Sequence, residues 1–233
     1  EMAEEYPDVI FLHCSGYLNN DTNFANYFGK MYQPRYLSGL AAGAMTDSNK
    51  IGYVAAFPIP EVIRGINAFA AGVNEVNPEA TVEVVWTFTW FGPEAETQAA
   101  NALLEKGADV LAQHQDSTAT GLAAEAAGAK WISYNTAYGQ DSAPEAFVTA
   151  PVWDWGPYYV NIVEQIIDGT FTTESYWGGM ETGLVSLYDL SSDVPSDTAT
   201  LIAEKTEAII DGTLEVEIVE EEFISNVIGT VNP

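Results

Sequence analysis

Short apolar runs alternate with stretches of helical character along almost the whole chain, and that rhythm restricts the fold more than any single motif does. The apolar runs fall at residues 8–14, 50–57, 81–86, 108–112, 130–134, 146–150, 183–187 and 214–219. The intervening residues 27–45, 61–77, 93–106, 118–127, 155–168 and 195–211 read as helices. In the second of these, Ile63, Ile66, Ala70 and Val73 recur at helical spacing. Strands that are apolar throughout are those buried on both faces, as in a parallel sheet with helices packed against it. The alternation therefore predicts an α/β fold of parallel sheets flanked by helices. Pro60 and Pro195 stand where helices begin, positions at which a missing N–H costs little, with Ser192 or Asp193 as the cap of the last helix. Gly107, Gly169 and Gly212 stand where helices stop. The polar residues 46–49 are the best candidate for a crossing between domains.

In such folds the loops after the strands lie at the carboxyl edge of the sheet, where ligands bind. The most aromatic of them is Trp86-Thr87-Phe88-Thr89-Trp90-Phe91-Gly92-Pro93, with two indoles and two phenyl rings in six residues. Tyr134, Trp153, Trp155, Tyr176 and Trp177 follow later strands. Trp86 and Phe88, close to the strand end, read as packing residues, and Trp131, inside a strand, as core. Trp90, Phe91, Trp153 and Trp177 sit in loops and are expected to touch a ligand. Gln113, Gln115 and Asn135 add amides. Flat indoles beside amides suit a flat, neutral, hydrogen-bonding ligand such as a nucleobase; a sugar stacked on tryptophan is the next candidate.

Charge narrows the partners. Thirty-four acidic residues against seven basic ones leave a net charge of −27. Such a chain repels nucleic acid and anionic membranes, and no basic patch offsets this. No run of about 18 apolar residues exists to span a membrane, and no secretory signal or lipidated amino-terminal cysteine is present. The chain enters its first strand almost at once, so further sequence is expected upstream. Cys14, the single cysteine, excludes an internal disulfide and a cysteine-based metal site, and its apolar surroundings predict a buried thiol.

Catalysis finds little support. His13 ends an apolar strand and reads as structural. His114 follows a strand and opens a helix, within Gln113-His114-Gln115-Asp116-Ser117. Two readings of that loop stand: Asp116 or Ser117 caps the helix, or His114 and Gln115 face a ligand. Metal ligation by His114 and Asp116 has no third ligand in view. There is no nucleophile elbow, P-loop or G-x-G-x-x-G motif. No catalytic residue, metal or cofactor is expected.

Several segments together resemble one family. They are residues 50–69 (KIGYVAAFPIPEVIRGINAF), Trp90-Phe91-Gly92-Pro93, residues 107–114 (GADVLAQH), residues 149–159 (TAPVWDWGPYY) and residues 176–180 (YWGGM). These look like the basic membrane protein family of ABC-importer substrate-binding proteins, similar to the PnrA-type purine nucleoside receptors. The likeness spans about residues 7–211, and the run 50–69 is its most specific part. It implies a two-lobed type I periplasmic-binding fold, α/β in each lobe, closing on a ligand in the cleft. Residues 1–47 and 145–173 would form the first lobe, lacking its amino-terminal part, and residues 48–144 and 174–233 the second. By the same resemblance Phe57, Pro58, Trp90, Phe91 and the run Gln113, His114, Gln115, Asp116 match ligand-facing loops. Asn135 stands near the family's ribose-binding aspartate, and Trp153 replaces its nucleoside-binding lysine. Loss of both charges favours a free base over a nucleoside.

The resemblance implies a monomeric, extracytoplasmic protein, periplasmic or at the cell surface, secreted or held by a lipid anchor outside this chain. It would capture a purine-type ligand and deliver it to an ABC permease, with no nucleic-acid partner. A ligand-sensing surface receptor of the same fold and a hydrolase using His114 and Asp116 are the alternatives.

Overall fold

The computed structural model describes residues 1–231. By packing, the chain forms two compact units. One joins Glu1–Lys30 to Trp153–Val185; the other joins Met31–Val152 to the chain from Ser186 onward, so the chain passes between them three times. Both are α/β with parallel sheets, as the alternation predicts.

The second unit holds a six-stranded sheet in the order Val227–Ile228, Thr81–Trp86, Lys50–Ala55, Val110–His114, Lys130–Ile132, Phe147–Thr149, every pair parallel. The helices Pro60–Val76, Pro93–Glu105 and Ala119–Ala127 connect successive strands. Val54, Leu103, Leu111, Trp131 and Phe147 are part of one buried apolar cluster in this unit. Pro60 and Pro93 sit in the first turns of their helices, and Gly128, at φ 72°, ends the third in the left-handed conformation that glycine tolerates. Pro195 is itself the cap residue of the helix Ser196–Ile210, in place of Ser192 or Asp193.

The helix expected over residues 27–45 is shorter. Residues Phe24–Gly29 form a strand, and the helix runs over Tyr32–Met45. Three aromatic residues in that stretch favour the strand, and Gly29 lets the Trp153 ring approach to where a Cβ would stand 2.5 Å away. The helix Tyr32–Met45 packs within the second unit, and the units part between Lys30 and Met31. Small residues explain the placement. A methyl group on Gly39 would lie 1.9 Å from the Phe69 carbonyl oxygen, and one on Gly72 would lie 2.1 Å from that of Tyr36. The helices Tyr32–Met45 and Pro60–Val76 therefore cross with their backbones in contact, which only glycine permits.

Residues 214–219 were expected as the last strand and form none. Val227–Ile228 takes the edge position instead, against Val82–Glu83. The earlier segment is held by side chains, with Asn67 Nδ2 donating to the carbonyls of Val219 and Glu222, at 2.9 and 2.8 Å.

In the first unit, Phe11–Cys14, Phe24–Gly29 and Tyr176–Gly178 make a three-stranded parallel sheet. Cys14, expected to be buried, is exposed because its strand lies at the sheet edge and burial fades along it. The helix Gly156–Asp168 follows, ending at Gly169 with φ 69°. Tyr27 stacks on Tyr158 at 4.7 Å and meets Trp155 edge-on at 5.4 Å. Among the described residues, no helix is long and apolar enough to cross a membrane.

Candidate functional site

In the second unit, the chain leaves the central strand Lys50–Ala55 for Thr81–Trp86 on one side and later takes up Val110–His114 on the other. Open α/β sheets bind ligands beyond the carboxyl ends of the strands at such a reversal. The loops found there are Ala56-Phe57-Pro58, Thr87 to Gly92, His114 to Ser117 and Ser133 to Asn135.

These loops are laced together. The Asp116 N–H donates to the Trp90 carbonyl at 2.9 Å, and Gln115 Nε2 donates to Thr87 Oγ1 at 2.6 Å. The Ser117 hydroxyl donates to Glu96, a fully buried carboxylate that also accepts the Gly92 N–H at 3.0 Å. Asn135 Nδ2 donates to Asp116 Oδ1 at 2.7 Å, and the Phe88 N–H to the Ala56 carbonyl at 2.9 Å. Two loop residues hold positive φ without being glycine, Phe88 at 55° and Asn135 at 71°. Non-glycine residues are uncommon there and accumulate at functional sites.

Three aromatic rings form the loop surface. Phe57 lies 5.4 Å from Trp90 and 6.4 Å from Phe88, centroid to centroid. Phe88 is 54% exposed and Trp90 40%, so neither is core. For Phe88 this corrects the packing role expected from its place near the strand end; the positive φ turns it outward with Trp90. Trp86 does pack, stacking on Phe223 and donating its Nε1–H to the Thr230 carbonyl at 2.8 Å. Phe91, at 65% exposure, stands on the same loop, and Pro58 is half-buried on the neighbouring one.

The polar residues divide. The Gln113 side chain is consumed inside the protein: its Oε1 accepts the Trp131 indole N–H at 3.0 Å, and its Nε2 donates to the carbonyls of Gln115 and Ser117. It is a strut under the loop. Gln115 is buried as well, with one amide hydrogen on Thr87 and its Oε1 unpartnered. Asp116 and Asn135 pair with each other at the outer side. Burial raises the Asp116 pKa, and the Asn135 hydrogen bond partly opposes this. In the first unit, Trp153 stacks on Trp155 at 4.7 Å and tilts against Phe28 at 5.1 Å, and Trp177 lies in the strand Tyr176–Gly178, 42% exposed.

His114 is 3% exposed, with Trp90 5.9 Å and Tyr134 4.5 Å from its ring. Burial, then the charges of Arg35 and Arg64, hold its pKa well below the usual histidine value. Glu61 Oε1 lies 3.8 Å from His114 Nε2, and burial raises the Glu61 pKa against the pull of Arg64 and Arg35. The imidazole is therefore neutral at pH 7. As the pH falls, the unfolded chain takes up this proton first, so stability is intact above about pH 6.5 and declines below it. We expect His114→Gln to flatten the fall in Tm between pH 7 and pH 5. Identical slopes would assign the acid loss to other groups.

Sequence reasoning missed Arg35, Glu61, Glu96 and Phe88. Arg35 had a signal, as the single charged residue in the helix Tyr32–Met45. Glu96 had a weaker one, lying just inside a helix whose entry turn it closes.

Comparison with known proteins adds a family. The model of a family described as ABC transporter substrate-binding protein, PnrA-like, matches residues 1–220. A putative ABC transporter glucose-binding protein of Haloferax volcanii is 44% identical over 215 residues, which are 92% of this chain and 54% of that protein. A purine-binding protein of Brucella abortus is 40% identical over 215 residues, 90% of this chain and 59% of that protein. The chain thus spans little more than half the length of these relatives. Among solved structures, an ABC transporter solute-binding protein from Conexibacter woesei matches with a TM-score of 0.74 at 25% identity, over 93% of this chain and 74% of that one.

Proposed function

The chain belongs to the PnrA-like family of ABC transporter substrate-binding proteins, and we propose that it captures a purine-type ligand, a free base in preference to a nucleoside. The ligand would stack on the rings of the carboxyl-edge loops and be delivered to an ABC permease outside the cytoplasmic membrane. One observation carries this reading: Phe57, half-buried, and the exposed Phe88 and Trp90 form an aromatic surface on loops held by Gln115, Glu96 and Asp116. Preorganised rings spare a ligand the cost of ordering them. The neutral His114 and the Asp116–Asn135 pair stand beside that surface with hydrogen-bonding groups. In the first unit we assign ligand contact to Trp153 and Trp177.

A sugar is the second reading, favoured by the name of the Haloferax relative and by the affinity of indole faces for sugar rings. Calorimetric titration with adenine, guanine, hypoxanthine, their nucleosides and glucose separates the two. We expect micromolar or tighter binding of a free base. Binding of glucose with no heat from any purine would replace the purine reading with the sugar one.

A further inference from the structure

Arg35 is 0% exposed, the one base among the described residues that is wholly buried. Lys30, Arg64, Lys106, Lys130 and Lys205 each pair with a carboxylate. Among the described residues, Arg35 forms no ion pair. Its Nη1 donates to the Gln113 carbonyl at 2.6 Å, and its Cζ sits 4.0 Å from the Tyr134 ring centroid and 5.7 Å from that of Tyr53. Aromatic faces and one carbonyl offset only part of the cost of burying a guanidinium. The Nε and Nη2 hydrogens have no acceptor.

Other unpartnered groups lie close by. The Tyr53 hydroxyl and His114 Nδ1 are buried and make no hydrogen bond. Gly65 adjoins Arg35 and His114. An ideal Cβ there would be 3.9 Å from Arg35 Cγ, Arg35 Nε and His114 Nδ1 alike, and nothing stands nearer. The surroundings hold the Arg35 charge and unpartnered donors, with the Glu61 carboxylate 3.8 Å from the other ring nitrogen of His114. A water would have to accept from these donors and still place two hydrogens of its own. A halide only accepts.

We propose that Arg35 Nε and Nη2, the Tyr53 hydroxyl and His114 Nδ1 form a binding site for a small monovalent anion of the chloride class, behind the loop Gln113–Ser117. The anion supplies a countercharge in direct contact with Arg35, which draws on the Glu61 carboxylate without pairing with it. It also secures the strand end, because the same guanidinium holds the Gln113 carbonyl. The proposal is independent of which ligand the aromatic loops take.

The test is thermal unfolding at constant ionic strength as sodium chloride replaces sodium gluconate. We expect the Tm of the wild type to rise by about 4 °C once chloride exceeds its dissociation constant roughly tenfold. Gly65→Ala should fold, since its methyl meets only ordinary contacts, and should crowd Arg35 Nε and His114 Nδ1. It should be more stable than the wild type in gluconate, because alanine suits a helix interior better than glycine, and indifferent to chloride. Tyr53→Phe should weaken the response while keeping the fold. Crystals grown in bromide should show an anomalous peak within hydrogen-bonding distance of Arg35. A chloride response that survives in Gly65→Ala, or an oxygen-sized peak with no anomalous signal, would overturn the proposal.

Discussion

Trp131→Ala is expected to destabilise the protein by about 3–5 kcal/mol, the usual cost of emptying a buried aromatic site. That corresponds to a fall in Tm of roughly 10 °C or more for a chain of this size. The ring is 0% exposed and packed on glycines: a methyl on Gly121 would lie 2.3 Å from its Cε3, and one on Gly139 would lie 2.8 Å from its Cη2. Phe147 meets it edge-on at 6.1 Å. The glycine backbone on two sides offers no side chain to fill the hole from there. The substitution also leaves Gln113 Oε1 without its indole donor, and a buried acceptor so stranded costs about 1–3 kcal/mol. Trp131→Phe retains most of the packing and should show mainly this second effect. Urea unfolding of the three proteins measures both. A Trp131→Ala loss below about 1 kcal/mol would mean that the surrounding helices close the cavity.

For Trp90→Ala the expected effect falls on binding instead of folding. The side chain is 40% exposed, and its contacts are with the rings of Phe57 and His114. Its structural link, the carbonyl that accepts the Asp116 N–H, belongs to the backbone and survives the substitution. We therefore expect about 1 kcal/mol or less of lost stability. Removing one stacking partner from a bound base costs about 1–3 kcal/mol, a loss of affinity of about 5- to 150-fold. Phe91→Ala tests the second ligand candidate on the same loop, more exposed and outside the Phe57–Phe88–Trp90 group. Calorimetry on the three proteins decides the matter. Equal affinities for the wild type and Trp90→Ala would remove Trp90 from the site, whatever the ligand.

Much of the architecture is legible in local pattern. The alternation of apolar runs and helical stretches located nearly every strand of the larger sheet, since both properties depend on residues close together in the chain. It also marked which loops fall at the carboxyl edge, and so Trp90, His114 and Asn135, while Phe57 came from the family resemblance. It failed where the deciding contact was remote. Residues 27–29 of the strand Phe24–Gly29 read as the start of a helix until Phe11–Cys14 and Tyr176–Gly178 are placed beside them. Residues 214–219 alternate like a strand, yet Asn67, some 150 positions away, holds this part of the chain instead.

The site shows the same division in chemical terms. That this chain would present indoles and amides in strand-end loops, under a net charge of −27, is determined by residue order and composition alone. Which of those groups remain available to a ligand is not. Gln113 and Trp90 look alike in sequence as loop candidates. Only the folded chain turns Gln113 inward, where Trp131 and two carbonyls exhaust its amide, and leaves Trp90 at the surface. Arg35 reaches the Gln113 carbonyl across 78 positions, and Glu96 reaches Ser117 across 21. Hydrogen-bonding capacity and charge compensation are settled by neighbours in space, and the helix packing at Gly39 and Gly72 brings Arg35 beneath the loop whose carbonyl it holds.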